Sequence, residues 1–273
     1  MTDQPTAADV AAMYDHFTDL LEHALGGNIH LGYWDDTQDT APIGQATDRL
    51  TRLVAERLAP AAGDRVLDLG CGTGKPAVDI AAASGARITG ITVSAHQLDG
   101  ARQRTPLPVG RGSATFELAD ATALAFEDAS FDGAYAIESI LHIQDKKTAL
   151  AHVTRTLRPG GRLVVADIFR KGQSTAAEAE LIEQVTGLFQ MTVIPTQATW
   201  HTLIGQAGLK LTEFTDIADH VRRGFDSVVA LFRDTAQAQG GHTADELTSA
   251  ADLVERFSRL PQLGYVLLTA DRP

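Results

Sequence analysis

Cysteine is nearly absent from these 273 residues, and Cys71 alone can form neither an internal disulfide nor a cysteine metal cluster. A reducing, cytoplasmic setting is therefore expected, with no structural metal. Long apolar runs are missing too: nowhere do about 18 consecutive apolar residues occur, as a bilayer span requires. The opening MTDQPTAADVAAMYDHF places acidic residues where a signal peptide carries positive charge. Neither membrane partner nor secretion is expected. Positive charge is also scarce, 23 Lys and Arg against 35 Asp and Glu for a formal net charge of −12. A polyanion such as nucleic acid would meet a repulsive average field, which favours a small-molecule partner. No internal repeat and no Pro/Gly/Ser-rich linker divides the chain, whose 44% hydrophobic and 21% charged residues suit one elaborated globular domain.

Val10, Met13, Phe17, Leu20 and Leu21 recur at helical intervals and predict an amphipathic helix over 6–25. Its apolar side leaves room for a homo-oligomer. A second helical pattern covers 42–58, so about 60 residues precede the first strong strand. From Asp64 the chain alternates short β-rich runs with helical stretches, the pattern of a parallel, doubly wound sheet. Strands are expected at 65–69, 86–92, 114–118, 131–137 and 162–167, and helices at 76–83, 95–104 and 146–157, the last stopped by Pro159-Gly160-Gly161. A helical stretch at 176–191 then interrupts the alternation as an insertion over the sheet. A helix at 199–207, a strand at 210–217, a mostly helical excursion over 220–260 and a strand at 265–269 complete the reading.

The chemistry is concentrated in Val66-Leu67-Asp68-Leu69-Gly70-Cys71-Gly72-Thr73-Gly74-Lys75-Pro76. A buried strand carrying Asp68 turns through three glycines into a helix with proline in its first turn. Glycines cost folding entropy, and with no packing return visible in the sequence they point to a ligand resting on bare backbone. Between a strand and a helix, this is the setting of a nucleoside cofactor. A dinucleotide site wants Gly-x-Gly-x-x-Gly, whereas here the third glycine comes one residue early.

The Asp-x-Gly-x-Gly-x-Gly form resembles the first motif of class I S-adenosylmethionine-dependent methyltransferases. Leu118-Ala119-Asp120-Ala121, Phe131-Asp132-Gly133-Ala134-Tyr135 and Leu157-Arg158-Pro159-Gly160-Gly161-Arg162-Leu163 are similar to that family's later motifs. Asn28-Ile29-His30-Leu31-Gly32-Tyr33-Trp34, Gly74-Lys75-Pro76-Ala77-Val78, Ala136-Ile137-Glu138-Ser139 and the tail Gly264-Tyr265-Val266-Leu267-Leu268 resemble natural-product sugar O-methyltransferases of the rebeccamycin type. Ile140-Leu141-His142-Ile143-Gln144-Asp145-Lys146 is similar to the phosphoethanolamine methyltransferases, where a histidine pairs with an N-terminal tyrosine. The resemblance implies an α/β Rossmann-like fold with a mostly parallel seven-stranded sheet. It further implies a helical lid (1–60), an S-adenosylmethionine-binding core (61–170) and a remainder with helical cap insertions (171–273). The implied activity is methyl transfer to a hydroxyl of a sugar- or polyketide-type secondary metabolite. Transfer to nitrogen or carbon, on a phosphobase or terpenoid, and a cyclase holding the cofactor structurally are the alternatives.

The resemblance places Asp68, Gly70, Cys71, Gly72 and Gly74 at the cofactor, with Asp120 and Ala121 at its adenine and Tyr33 in the covering lid. Asp120 is otherwise a turn aspartate, and Cys71 a small filler. The second strand ends in Thr92 where the family usually has an acid, so Gln97 is the candidate for the ribose. Glu138 either meets the cofactor's methionine part or faces solvent. His142, just past the fourth strand, has the intrinsic pKa suited to taking a hydroxyl proton, although the sugar enzymes carry two adjacent histidines and Leu141 stands at the first. Tyr14 is its candidate partner, against plain helix packing. Asp167 could orient a histidine, hold a substrate hydroxyl or merely bond loop amides. Leu181, Val185, Leu188, Phe189, Met191, Val228, Val229, Leu231 and Phe232 are expected to pack the core and in part to shape the acceptor pocket, and Arg222-Arg223 to meet an anionic substrate or water.

Overall fold

Capping chemistry fixes where the helices begin. The Thr6 side chain accepts from the Asp9 amide while the Asp9 carboxylate accepts from the Thr6 amide, a capping box that opens α1 (Ala7–Ala24). Thr175 and Glu178 repeat the device at α6 (Ala176–Leu188). Ser94 caps α4 (Ala95–Gln103), and Asp145 caps α5 (Lys146–Thr156). Pro76 lies in the first turn of α3 (Lys75–Ser84), where its missing N–H costs no bond. The computed structural model describes residues 4–273 apart from Val109, Arg111 and Gly240, the last falling inside the expected 220–260 excursion.

The strands are β1 (Arg65–Leu69), β2 (Arg87–Thr92), β3 (Ser113–Leu118), β4 (Phe131–Ile137), β5 (Leu157–Arg170), β6 (Lys210–Asp216) and β7 (Leu263–Asp271). They form one seven-stranded sheet in the order β3-β2-β1-β4-β5-β7-β6. The first five pair in parallel, and β7 runs antiparallel between β5 and β6. Apolar clusters cover both faces. Along β5, Leu163 and Val165 join α5 and α7 (Gln197–Gln206) on one side, while Val164 and Ala166 join α2 (Ile43–Leu58) and α3 on the other. Burial on both faces is why these strands read as continuous apolar runs.

Two strands run well beyond the sequence reading. Pro159-Gly160-Gly161 does not form a loop after α5: β5 starts at Leu157, which pairs with Phe131, and an irregularity resets the register at Gly133 and Arg162. The last strand has nine residues rather than five because both of its edges find partners.

The inserted helices pack into the core cluster, the first of the two roles expected of them. Leu181 and Val185 of α6 pack with Val228, Val229 and Phe232 of α9 (Gly224–Gln239), which follows the short α8 (Ala218–Val221), in the apolar cluster shared with α10 (Gly241–Ser258). The Phe189 and Phe232 rings stand 6.2 Å apart. α1, by contrast, packs against α4 and α9. No helix among the described residues is long and apolar enough to cross a membrane.

Candidate active site

The strand order reverses around β1, whose neighbours β2 and β4 lead to opposite ends of the sheet. Open α/β sheets bind ligands at the carboxyl ends of strands at such a point. A cavity of about 430 Å³ lies there, within the roughly 300–1,000 Å³ of small-molecule sites. Its floor is the turn from Asp68 to Thr73. Residues from the ends of β2, β3 and β4 form the walls, and α1 with Asn28, Ile29 and His30 forms the roof.

Gly70 and Gly72 lie on this floor with φ of +76° and +53°. A Cβ on Gly70 would collide with Ser139, and one on Gly72 with Ile29. Packing therefore requires glycine at 70, contrary to the sequence argument that it had no packing return, whereas at 72 the movable end of Ile29 can give way and the left-handed φ is what favours glycine. Cys71 lines the cavity, buried, with its thiol pushed well up by that burial and by Asp68. Asp68 accepts a 2.7 Å hydrogen bond from the Tyr135 hydroxyl, and burial moves its pKa up to about 7.

Thr92 and Gln97 form a buried pair on the β2 side. The Thr92 hydroxyl donates to Gln97 Oε1 at 2.7 Å, and Gln97 Nε2 donates to Thr18 of α1 at 3.3 Å. The same helix is pinned through Asp15, which accepts from Ser94 Oγ and the His96 amide. Asp120 lines the cavity next to buried Ala121 and accepts from the Thr122 amide and hydroxyl, each at 2.8 Å. Glu138 is not a solvated acid. Its Oε1 accepts from Tyr265 Oη at 2.7 Å and from the Leu31 amide at 2.8 Å, and burial moves its pKa up to about 8.

Tyr14 and His142 meet on the cavity wall, 128 residues apart in sequence, with 2.9 Å between Tyr14 Oη and His142 Nε2. The other ring nitrogen, Nδ1, is 3.0 Å from the Gln190 carbonyl. A carbonyl only accepts, so Nδ1 carries the proton, Nε2 presents a lone pair and Tyr14 donates to it. Burial lowers the His142 pKa to about 4 and raises that of the Tyr14 phenol, so both are neutral near pH 7.

Other sequence assignments are corrected. Tyr33 does not line the cavity; its ring stacks on His220 at 4.6 Å while its amide donates to the Ala46 carbonyl. The cavity takes the first half of that loop, Asn28 to His30, whose short polar and aliphatic residues drew less notice than the aromatics. Gly74 is also off the wall. It is the N-cap of α3 at φ +79°, and Phe116 Cζ stands 2.6 Å from where its Cβ would be. Asp167 is buried beneath the His142 turn, accepting from the Leu141 and Ile168 amides, and does not reach the cavity. Of the apolar residues expected to shape an acceptor pocket from the inserted helices, none lines it: Leu181, Val185, Val228, Val229 and Phe232 are buried in the core cluster, while Leu188 is exposed. Arg222 donates to the Ser258, Leu260 and Leu263 carbonyls, while Arg223 donates to the Asp39 carbonyl and covers Trp34 at 5.3 Å. Both arginines hold protein rather than substrate.

The lining suits S-adenosylmethionine in polarity: the acids Asp68 and Glu138 can face a cationic group, the polar Thr92–Gln97 pair lies beside β2, and Asp120 lies by Ile91, Val93 and Ala121. A seven-stranded sheet of this order with such a site defines a Rossmann-like S-adenosylmethionine-dependent methyltransferase. The methyltransferase domain family matches residues 67–165. O-methyltransferase resE of Aspergillus sclerotiorum is 42% identical over 272 residues, covering 100% of both chains. The 27-O-demethylrifamycin SV methyltransferase of Amycolatopsis mediterranei is 35% identical over 273 residues, 99% of each. Among solved structures, that of the [4+2]-cyclase SpnF matches with a TM-score of 0.82 at 30% identity, covering 99% of this chain and 97% of that one. The chain belongs to the S-adenosylmethionine-dependent O-methyltransferases of secondary metabolism, and methylates an oxygen of a metabolite.

Proposed function

We propose that the acceptor is an uncharged, hydroxyl-bearing metabolite of polyketide or sugar type, and that His142, with Tyr14, takes the proton its hydroxyl loses. The observation that carries this reading is the neutral Tyr14–His142 pair on the cavity wall. An uncharged acceptor is supported by the lining, which among the described residues includes Asp68, Asp120, Glu138 and Asp145 but no lysine or arginine. A phosphorylated acceptor would meet no countercharge there. The relative that by its name methylates 27-O-demethylrifamycin SV supports the polyketide class. A lone, buried Cys71 suits the cytoplasm.

When bound, the cofactor supplies an electrophilic methyl and leaves as a neutral thioether. The protein's task is alignment and proton removal, and alignment of this kind is worth about 7–11 kcal/mol. The Tyr14 oxygen accepts the hydrogen bond of the acceptor hydroxyl while its own proton points to His142 Nε2. As the acceptor oxygen gains the methyl, it becomes a far stronger acid than an alcohol. A base of pKa about 4 then suffices, and the proton passes through Tyr14 to Nε2. α1, held by Asp15, Thr18 and Glu22, acts as the lid over the cavity together with residues 28–30, whereas α2 packs on the sheet and not on the cavity. Closure excludes water from the reacting groups.

Incubation with S-adenosylmethionine and a panel of polyketide, sugar, amine and phosphorylated acceptors, read by mass spectrometry, is expected to add one methyl to neutral hydroxyl compounds. Preference for a phosphorylated or amine acceptor would overturn the reading. Asp68 gives a pH test. An ammonium beside it binds the ionised carboxylate, so the Asp68 share of cofactor affinity rises with pH by up to about tenfold per unit below about 7 and flattens above, while Glu138 titrates separately near 8. Calorimetry on Asp68→Asn should show weaker binding without that slope; an unchanged slope would assign it to another group.

A further inference from the structure

Lys146, the first residue of α5, is buried to 7% exposure although its side chain ends in an ammonium. Among the described residues no carboxylate lies within ion-pair distance. Its Nζ instead donates to the Ile143 carbonyl at 2.9 Å and to the Thr192 hydroxyl. Burying a cation among neutral oxygens costs stability, so a core built only for packing would hold an apolar side chain here.

The bonds beyond Lys146 run in one direction. With its oxygen accepting from Lys146, the Thr192 hydroxyl donates to the Leu141 carbonyl at 2.9 Å, and the Thr192 amide donates to the same carbonyl at 2.8 Å. Thr192 is thereby fastened to the turn that carries His142. Two residues earlier stands Gln190, at φ +49°, a left-handed conformation that a non-glycine residue keeps only when its neighbours hold it. Its carbonyl is the group that accepts from His142 Nδ1.

We infer that Lys146 is a positioning residue for His142: by gripping Thr192 and Ile143 it keeps the Gln190 carbonyl against Nδ1 and so fixes the tautomer that leaves Nε2 open to a proton. The effect on turnover rests on the reading of His142 as proton acceptor, but the effect on the tautomer does not. The charged and titratable groups facing this assembly are Tyr14 from α1, Lys146 from α5, and Asp167 and Glu138 from the ends of β5 and β4.

The test compares Lys146→Met, Thr192→Val and Thr192→Ser. Lys146→Met is expected to keep its melting temperature, because a buried cation gives way to an apolar chain of similar length, and to bind the cofactor as before. Its kcat falls by about 10–100-fold, the effect of a misplaced reacting group. Nitrogen NMR of the His142 ring shows the Nδ1–H form giving way to a mixture. Thr192→Val behaves like Lys146→Met, and Thr192→Ser like the parent. A pure Nδ1–H tautomer in folded Lys146→Met and Thr192→Val overturns the inference, as does a falling melting temperature with the tautomer intact. If Lys146→Met does not fold, the spectra of Thr192→Val decide. Full turnover in His142→Gln would sink the proton-acceptor reading alone, because the tautomer change in Lys146→Met is read without activity.

Discussion

His142→Ala is expected to lower kcat by about 10²–10⁴-fold near neutral pH while leaving affinity for S-adenosylmethionine unchanged. The cofactor turn contributes nothing to this ring, which is held by Tyr14 on one nitrogen and Gln190 on the other. Removing it leaves the proton with no acceptor in a water-poor cavity, whereas cofactor alignment survives. The pH dependence follows from the lowered pKa. His142 accepts a proton only when neutral, so kcat in the parent enzyme is flat through neutrality and falls as pH drops through about 4. Tyr14→Phe should lower kcat less, because the base itself stays in place, held by the Gln190 carbonyl. Unchanged turnover in both variants, with cofactor binding intact, would remove the pair from the mechanism.

Gly70→Ala is expected to destabilise the protein by about 2–5 kcal/mol and to abolish cofactor binding. Left-handed backbone costs an alanine about 1–2 kcal/mol. The new methyl would also overlap the Ser139 side chain, and overpacking of this kind costs about 1–3 kcal/mol. The sum is a large part of a typical stability of about 5–15 kcal/mol. Relief by moving Ser139 is opposed by its hydrogen bond to the Leu69 carbonyl and by Glu138 next to it, itself at φ +48°. Gly63→Ala is the control: at φ +86° it carries the backbone cost, but its methyl meets nothing within 4 Å. Denaturant unfolding of the two variants measures the difference, and equal loss in both would show that Ser139 yields freely.

The sequence reading of the fold held where local pattern and tertiary need coincide. β1 and β4 occupy 65–69 and 131–137 as expected, because each is an apolar run bounded by polar or turn residues and buried on both faces. It missed where a partner strand overrode turn chemistry, as when Phe131 drew Leu157 into pairing and β5 began before Pro159-Gly160-Gly161. Aromatic residues misled in the 28–34 loop. Tyr33 and Trp34 are large because they fill gaps against His220 and Arg223, while the cavity takes Asn28, Ile29 and His30. The apolar stripes of α6 and α9 satisfied one another, which composition cannot distinguish from lining a pocket.

By itself, the sequence determined the family, the doubly wound sheet and the turn at Asp68, because strand runs, helix caps and glycine spacing act within a few residues of one another. Tertiary structure decided between pairing and plain packing for Tyr14, which reaches His142, and alone decided that Asp167 lies beneath the turn instead of facing the cavity. It alone decided that Lys146 and Thr192 hold the segment fixing the imidazole. Those contacts join residues 26 to 128 positions apart. Their geometry comes from how α1, β5 and the 190–192 segment converge on one end of the sheet, which no local periodicity encodes.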